Sequence, residues 1–128
     1  MNYVDTSVLL AQLLSEDRLP PAELWDQPLI TSRLTEYELL VRLNARRLAS
    51  THGEAANLLL GRMAWLELVS PVLARALRPF PAPVRTLDAL HLASADFLRE
   101  HGQTVRIASY DARLNAGAAA LGFELYDL

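Results

Sequence analysis

Four acids in this chain of 128 residues occupy positions that could serve chemistry. Asp5 directly follows the β-prone stretch 2–4, and Asp111 comes three residues after Ala108, where another β-prone stretch gives way to a helical one. In open α/β sheets ligands gather outside the carboxyl ends of strands, so polar residues just past a strand are the first candidates for a site. Glu38, within Thr35-Glu36-Tyr37-Glu38-Leu39-Leu40, and Asp88, within Thr86-Leu87-Asp88-Ala89-Leu90-His91, lie in apolar helical surroundings where a charge needs a reason. Carboxylates gathered by folding can hold a divalent cation and serve phosphoryl chemistry. Each acid alone also has a structural use. Asp5 and Asp111 can cap the helices they precede. Thr35 and Glu38 have the spacing of a capping box, and Asp88 falls in a first helical turn, where the dipole favours an acid.

Positioning such residues takes strands that alternate with helices. Apolar periodicity, caps and breakers predict strands over 2–4, 29–31, 65–69, 104–108 and 123–126. Helices are predicted over 8–14, 22–26, from Ser32 or Thr35 to about Ser50, from Gly53 to Met63, and over 72–77, 86–101 and 112–121. Gly102 and Gly122 close the last two, and 78–84 is a proline-rich loop. This order predicts an α/β fold: a three-layer α/β/α sandwich with a mostly parallel central sheet of about four or five strands, in a single domain over 1–128.

Composition narrows the classes. With 52% hydrophobic and 21% charged residues the chain suits one globular core, neither disordered nor membrane-spanning. The net charge of −3 is unlike that of a protein that coats nucleic acid, so any such partner must be met locally. All 12 basic residues are arginine. No cysteine is present, which excludes disulfides, thiolate metal sites and a cysteine nucleophile. No base precedes Arg18 and no apolar run reaches the 18 or so residues of a membrane span, so a cytoplasmic location is expected.

The contexts of the four acids, in order, resemble the acidic motifs of one family. The stretches are Val4-Asp5-Thr6-Ser7-Val8-Leu9, Thr31-Ser32 through Glu38-Leu39-Leu40, Leu87-Asp88-Ala89-Leu90-His91-Leu92-Ala93, and Ala108-Ser109-Tyr110-Asp111-Ala112-Arg113-Leu114. They resemble the PIN domain, and specifically the VapC-like toxin ribonucleases of type II toxin-antitoxin pairs. Departures are Val41 where an arginine is common, with Arg42 following, and Ser109 where threonine is frequent. The resemblance implies a PIN-like fold and an endoribonuclease that leaves a 5′-phosphate and a 3′-hydroxyl. It also implies Asp5, Glu38, Asp88 and Asp111 as catalytic and metal-holding residues, an antitoxin partner whose tail covers the site, and a homodimer. Apolar residues over 19–30 and in the helices that follow exceed what a small core absorbs, which is compatible with a dimer.

Electrostatics tests this set independently. Two carboxylates about 4 Å apart repel by roughly 4 kcal/mol at an effective dielectric near 20, so converging acids need a cation or raised pKa values. Oxygen ligands without cysteine suit Mg²⁺ or Mn²⁺, which can polarise a phosphodiester and acidify water for in-line attack. Glu36 lies about 200° around a helix from Glu38, so the two cannot share a site, and the apolar neighbours favour Glu38. Thr6, Ser7, Ser109 and Asp96 are candidates to orient carboxylates or water, although Asp96 falls about 80° and some 12 Å along the helix from Asp88. His91 reads as a packing residue with a satisfied imidazole. Arg42, Arg46, Arg47, Arg75, Arg78 and Arg85 are candidate RNA contacts; Trp25 and Trp65 read as core or interface anchors.

Two other classes compete. Receiver and haloacid-dehalogenase-like phosphatase domains also place aspartates at strand ends, but as families they use a lysine, which this chain lacks, and the phosphatases want an acid where Ser7 stands. A PIN-like scaffold with idle acids would bind a partner and cut nothing.

Overall fold

Side-chain alternation along the strands sets the layers. The computed structural model describes all 128 residues. Val4, Leu29 and Ala108 face one buried apolar cluster, and their neighbours Tyr3, Ile30 and Ile107 face another, as the two-residue period of a strand requires. The strands are β1 (Asn2–Val4), β2 (Leu29–Ser32), β3 (Ala64–Leu66), β4 (Arg106–Ala108) and β5 (Glu124–Leu125). They form one sheet in the order β3-β2-β1-β4-β5 with every pair parallel.

Helices α1 (Thr6–Leu13), α2 (Arg33–Ala45) and α3 (Ala49–Leu60) cover the first face through Val8, Leu9, Leu39, Leu43, Leu59 and Leu60, with Leu24 from a 3₁₀ turn at Ala22–Asp26. Helices α5 (Thr86–Glu100) and α6 (Ala112–Ala120) cover the second through Leu92, Leu98, Leu114 and Ala118, and α4 (Ser70–Leu77) packs outside α5. The result is the predicted three-layer sandwich, with a wholly parallel sheet of five strands. A Cβ on Gly117 would stand 2.8 Å from Leu92 and 3.1 Å from Val84, so α6 lies against α5 at a spacing that glycine permits. No helix is long and apolar enough to cross a membrane.

The sheet order creates the site's position. β1 is paired with β2 on one side and β4 on the other, and the helices that follow β1 and β4 go to opposite faces. Between their carboxyl ends the chain parts and leaves a crevice, the general ligand position in open α/β sheets.

Several predicted boundaries are corrected. The helix expected to run to about Ser50 ends at Ala45, and the next begins at Ala49, with Gly53 inside it rather than at its start. The turn is made by Arg47 at φ 57°, a left-handed conformation without a glycine to announce it. The third strand is shorter than 65–69, spanning Ala64–Leu66. The apolar surplus over 19–30 is mostly absorbed, since Leu24, Leu29 and Ile30 are buried. The contiguous exposed apolar groove lies instead between α4 and α5, lined by Leu73, Ala76, Leu77, Ala89 and Leu90.

Asp96 is also corrected. It is buried on α5 and spent on an ion triad, accepting from Arg75 Nε and Arg99 Nη2, both at 2.8 Å. Arg75 and Arg99 lie over Phe80 and Phe123 at 4.4 and 4.0 Å, so the triad ties α4, α5 and the start of β5 together. More than two turns beyond Asp88, its side chain reaches α4 and not the crevice. Burial opposes its charge, but the two guanidiniums hold its carboxyl below the usual aspartate range. Asp96→Ala is therefore expected to cost about 3 kcal/mol, because it strands Arg75. The parent's advantage, measured by urea unfolding, should be full above roughly pH 4 and shrink as pH falls through the lowered value.

Candidate active site

Register brings the first two acids together. Val4 pairs with Ala108, so Asp5 and Ser109 leave adjacent strands side by side, and Asp5 N–H donates to the Ala108 carbonyl at 3.3 Å. Asp5 stands at the N-cap of α1 without capping it. Its Oδ1 accepts from the Ser7 hydroxyl at 2.6 Å, and Ser7 Oγ in turn accepts from Tyr110 N–H at 2.9 Å. Ser109 Oγ accepts from Asp111 N–H at 2.9 Å. Asp111 does cap α6, its Oδ1 accepting from the N–H groups of Arg113 and Leu114 at 2.9 and 3.3 Å.

Glu38 reaches the same place from α2. No capping box forms, since Ser32 caps the helix through Leu34 N–H, while the Thr35 hydroxyl is bonded to Thr31 Oγ1 inside the first turns. Glu38 Oε1 instead accepts from Thr6 Oγ1 at 2.9 Å and from His91 Nε2 at 2.6 Å. Behind the ring, Tyr3 OH lies 2.7 Å from His91 Nδ1. Burial drives the Tyr3 phenol's pKa up, so it keeps its proton and donates, which leaves the imidazole proton on Nε2 and aimed at Glu38. His91 is satisfied on both nitrogens, as expected of a packing residue, and it also lines the crevice.

Asp88, in the first turn of α5, completes a cavity of about 330 Å³ lined by all four acids. Asp5, Glu38 and Asp111 each commit one carboxylate oxygen to hydrogen bonds with the chain and keep the other free, and no side chain holds Asp88. Burial pushes the pKa values of Asp5 and Asp88 up, and the charge of Asp111 pushes each the same way. Burial acts likewise on Glu38, but the hydrogen bonds from His91 and the Thr6 hydroxyl, with the charge of Arg42, outweigh it and hold Glu38 below its usual range.

Thr6, Ser7, Arg42 and Arg85 line the cavity, and Ser109 stands behind it. Arg46 lines an adjoining cavity. Arg47 is outside both, Arg78 faces a separate hollow with Glu100, and Arg75 is held by Asp96, so the fold does not bring these three to the acidic cavity. Glu36 points outward to Arg33 at 3.4 Å. Trp25 and Trp65 pack on the first core cluster. Arg113 also lines the cavity, and its place two residues after Asp111 in the same motif is the signal in the sequence that points to it.

No three acidic or imidazole side chains form a ready-made cage for one ion. Mg²⁺ and Mn²⁺ do not require one, since Mg²⁺ commonly binds through one or two carboxylates and keeps several waters. The free oxygens fit such an ion, as do carboxyls whose charged form is disfavoured first by burial and then by the neighbouring Asp111.

A raised folded pKa means stability that is lost as pH climbs through it. Asp5→Asn and Asp88→Asn should therefore leave the metal-free melting temperature near pH 7 unchanged or raise it by a few degrees, while abolishing the stabilisation that added Mg²⁺ gives the parent. Asp111→Ala should instead cost about 1 kcal/mol, because it removes a working cap. Thermal melts with and without metal read both effects.

The PIN domain family model matches residues 3–119, a span that includes all four acids. The chain is 34% identical over 130 residues to Ribonuclease VapC47 of Mycobacterium tuberculosis (strain CDC 1551 / Oshkosh), covering 96% of this chain and 93% of that protein. Its fold is similar to that in a toxin-antitoxin complex from Klebsiella pneumoniae, at TM-score 0.68 and 18% identity over 94% of each chain. It is similar also to Mycobacterium tuberculosis VapC20, described as a sarcin-ricin loop cleaving toxin, at TM-score 0.69 and 19% identity over 100% of each. By the family match and the shared fold, this chain belongs to the PIN-domain family.

Proposed function

We propose that the chain is a metal-dependent endoribonuclease, the toxin of a toxin-antitoxin pair, with Asp5, Glu38, Asp88 and Asp111 holding Mg²⁺ or Mn²⁺. The carrying observation is the cavity itself, where three carboxylates each keep one oxygen fixed and one free beside a fourth that no side chain holds. Arg42, Arg85 and Arg113 surround these acids and enter none of the chain's ion pairs, so their guanidiniums are available to phosphate. The relative named a ribonuclease supports the substrate class.

A divalent ion bound there offsets the crowded negative charge and supplies acidified water for attack on a phosphodiester. The chain does the rest. Thr6 and His91 fix Glu38 so that Oε2 is its free oxygen, Tyr3 keeps the His91 proton on Nε2, and Ser7 fixes Asp5. The arginines draw the phosphates of a strand toward an acidic pocket that would otherwise repel them. The products are a 5′-phosphate and a 3′-hydroxyl. No side-chain nucleophile and no organic cofactor take part.

Two protein partners belong to this reading. One is a small antitoxin whose tail covers the cavity, in keeping with the complex among the similar folds. The other is a second copy of this chain, to which the α4–α5 groove, with Leu77 88% exposed, offers apolar surface.

Purified protein with an RNA pool and Mg²⁺ or Mn²⁺ should cut, and EDTA or Asp5→Asn should stop it. A mutant that cuts like the parent removes the proposed centre, and a parent that never cuts under any divalent metal leaves an idle scaffold. Sedimentation at high concentration should show a dimer; a strict monomer removes the second copy.

A further inference from the structure

Beside the acidic cavity lies a second one of about 220 Å³, and the two share Ser7 and Arg42 as a common wall. Its chemistry is the reverse of its neighbour's. Arg18, Arg42 and Arg46 bring three guanidiniums against the single carboxylate of Glu16, and none of these four groups takes part in an ion pair. Arg42 lies in the last turn of α2 and Arg46, four residues on, is the residue that ends the helix, so both guanidiniums are presented to this cavity from the end of α2. The opposite wall carries Tyr110, whose ring lies 4.8 Å from the Arg18 guanidinium, and Leu10 and Ala11 of α1 contribute apolar surface. Tyr110 is anchored through its N–H to Ser7, the residue that fixes Asp5.

We propose that this second cavity is a nucleotide subsite. It takes the nucleotide next to the cleavage point, stacking its base on the Tyr110–Arg18 platform and receiving its phosphate between Arg42 and Arg46. The inference rests on the ribonuclease reading and extends it. Stacking on an aromatic ring beside a guanidinium tolerates any base. Paired arginines one turn apart suit phosphate oxygens because each fork donates two bonds. The shared Ser7–Arg42 wall lets one strand lie across both cavities, with a phosphate at the acids and its neighbour at the arginines. An anionic peptide would use the same arginines but would not depend on an aromatic face.

The test is binding of a fluorescent mixed-sequence octaribonucleotide to the full chain carrying Asp5→Asn, so that binding is read without cutting. Tyr110→Ala should weaken binding about tenfold, and Tyr110→Phe should restore it, because the ring and not the hydroxyl carries the stack. Arg46→Ala should weaken binding and lower the salt dependence by about one counterion. Arg62→Glu, a charge reversal at an exposed arginine that lines neither cavity, should leave affinity alone. Melting curves confirm that each variant is folded.

Equal affinity for Tyr110→Ala, Arg46→Ala and the Asp5→Asn parent overturns the subsite, whether or not the unmutated chain cuts RNA. Loss of binding to an acidic peptide with RNA affinity kept overturns it in favour of a peptide seat. If the expected losses occur but the unmutated chain with Mg²⁺ leaves RNA intact, the subsite stands and the ribonuclease reading falls.

Discussion

Like charges gathered in a partly buried cavity repel, and the folded chain must hold them there against that repulsion. Four carboxylates do so here, and their surroundings divide the load differently. Asp111 places one oxygen on the exposed N–H groups of α6, where the helix dipole also favours an anion. Glu38 is met by His91 and Thr6, which more than offset its burial. Asp5 and Asp88 carry the residual strain, visible as carboxyls that resist ionisation. A cation bound there would offset what burial and crowding cost these carboxylates.

The sheet makes this arrangement economical. Parallel strands send all their carboxyl ends to one edge, and the reversal of strand order between β1 and β4 opens that edge between α1 and α6. Acids from turns, a helix interior and a helix start thereby meet without long loops. The polar network that supports them runs down to the sheet, since Tyr3 on β1 is both a member of the second core cluster and the hydrogen-bond partner of His91. Core packing and the setting of Glu38 are thus the same contact.

Local chemistry sometimes misdirected the reading of the sequence. Thr35 and Glu38 have capping-box spacing, but Ser32 lies at the end of β2 and claims the cap first, leaving Thr35 to bond Thr31. The α2–α3 break falls at 46–48 rather than at the expected 51–52, because Arg47 turns the chain with no glycine or proline to mark the place, and Leu48 packs on the core just beyond it. Asp96 shares a helix with Asp88, yet its partners are Arg75 of α4 and Arg99 of its own helix, away from the crevice. Glycines at helix ends are the better signals: Gly102 and Gly122 close α5 and α6 at φ 84° and 83°, where a side chain is penalised, whereas Gly53, expected to open a helix, lies inside α3.

The alternation of strands and helices, the single apolar core, the lack of thiol and lysine chemistry and the identity of the four acidic motifs were all present in the order of residues. These depend on periodicity and on side-chain type, which are local properties. Which acid meets which donor, that His91 holds Glu38 while Asp96 is consumed by arginines, and that Arg113, Arg18 and Tyr110 flank the crevice, were decided by tertiary structure. Those relations join residues up to about a hundred positions apart, such as Ser7 and Tyr110 with a separation of 103, and only strand register and helix packing set such distances.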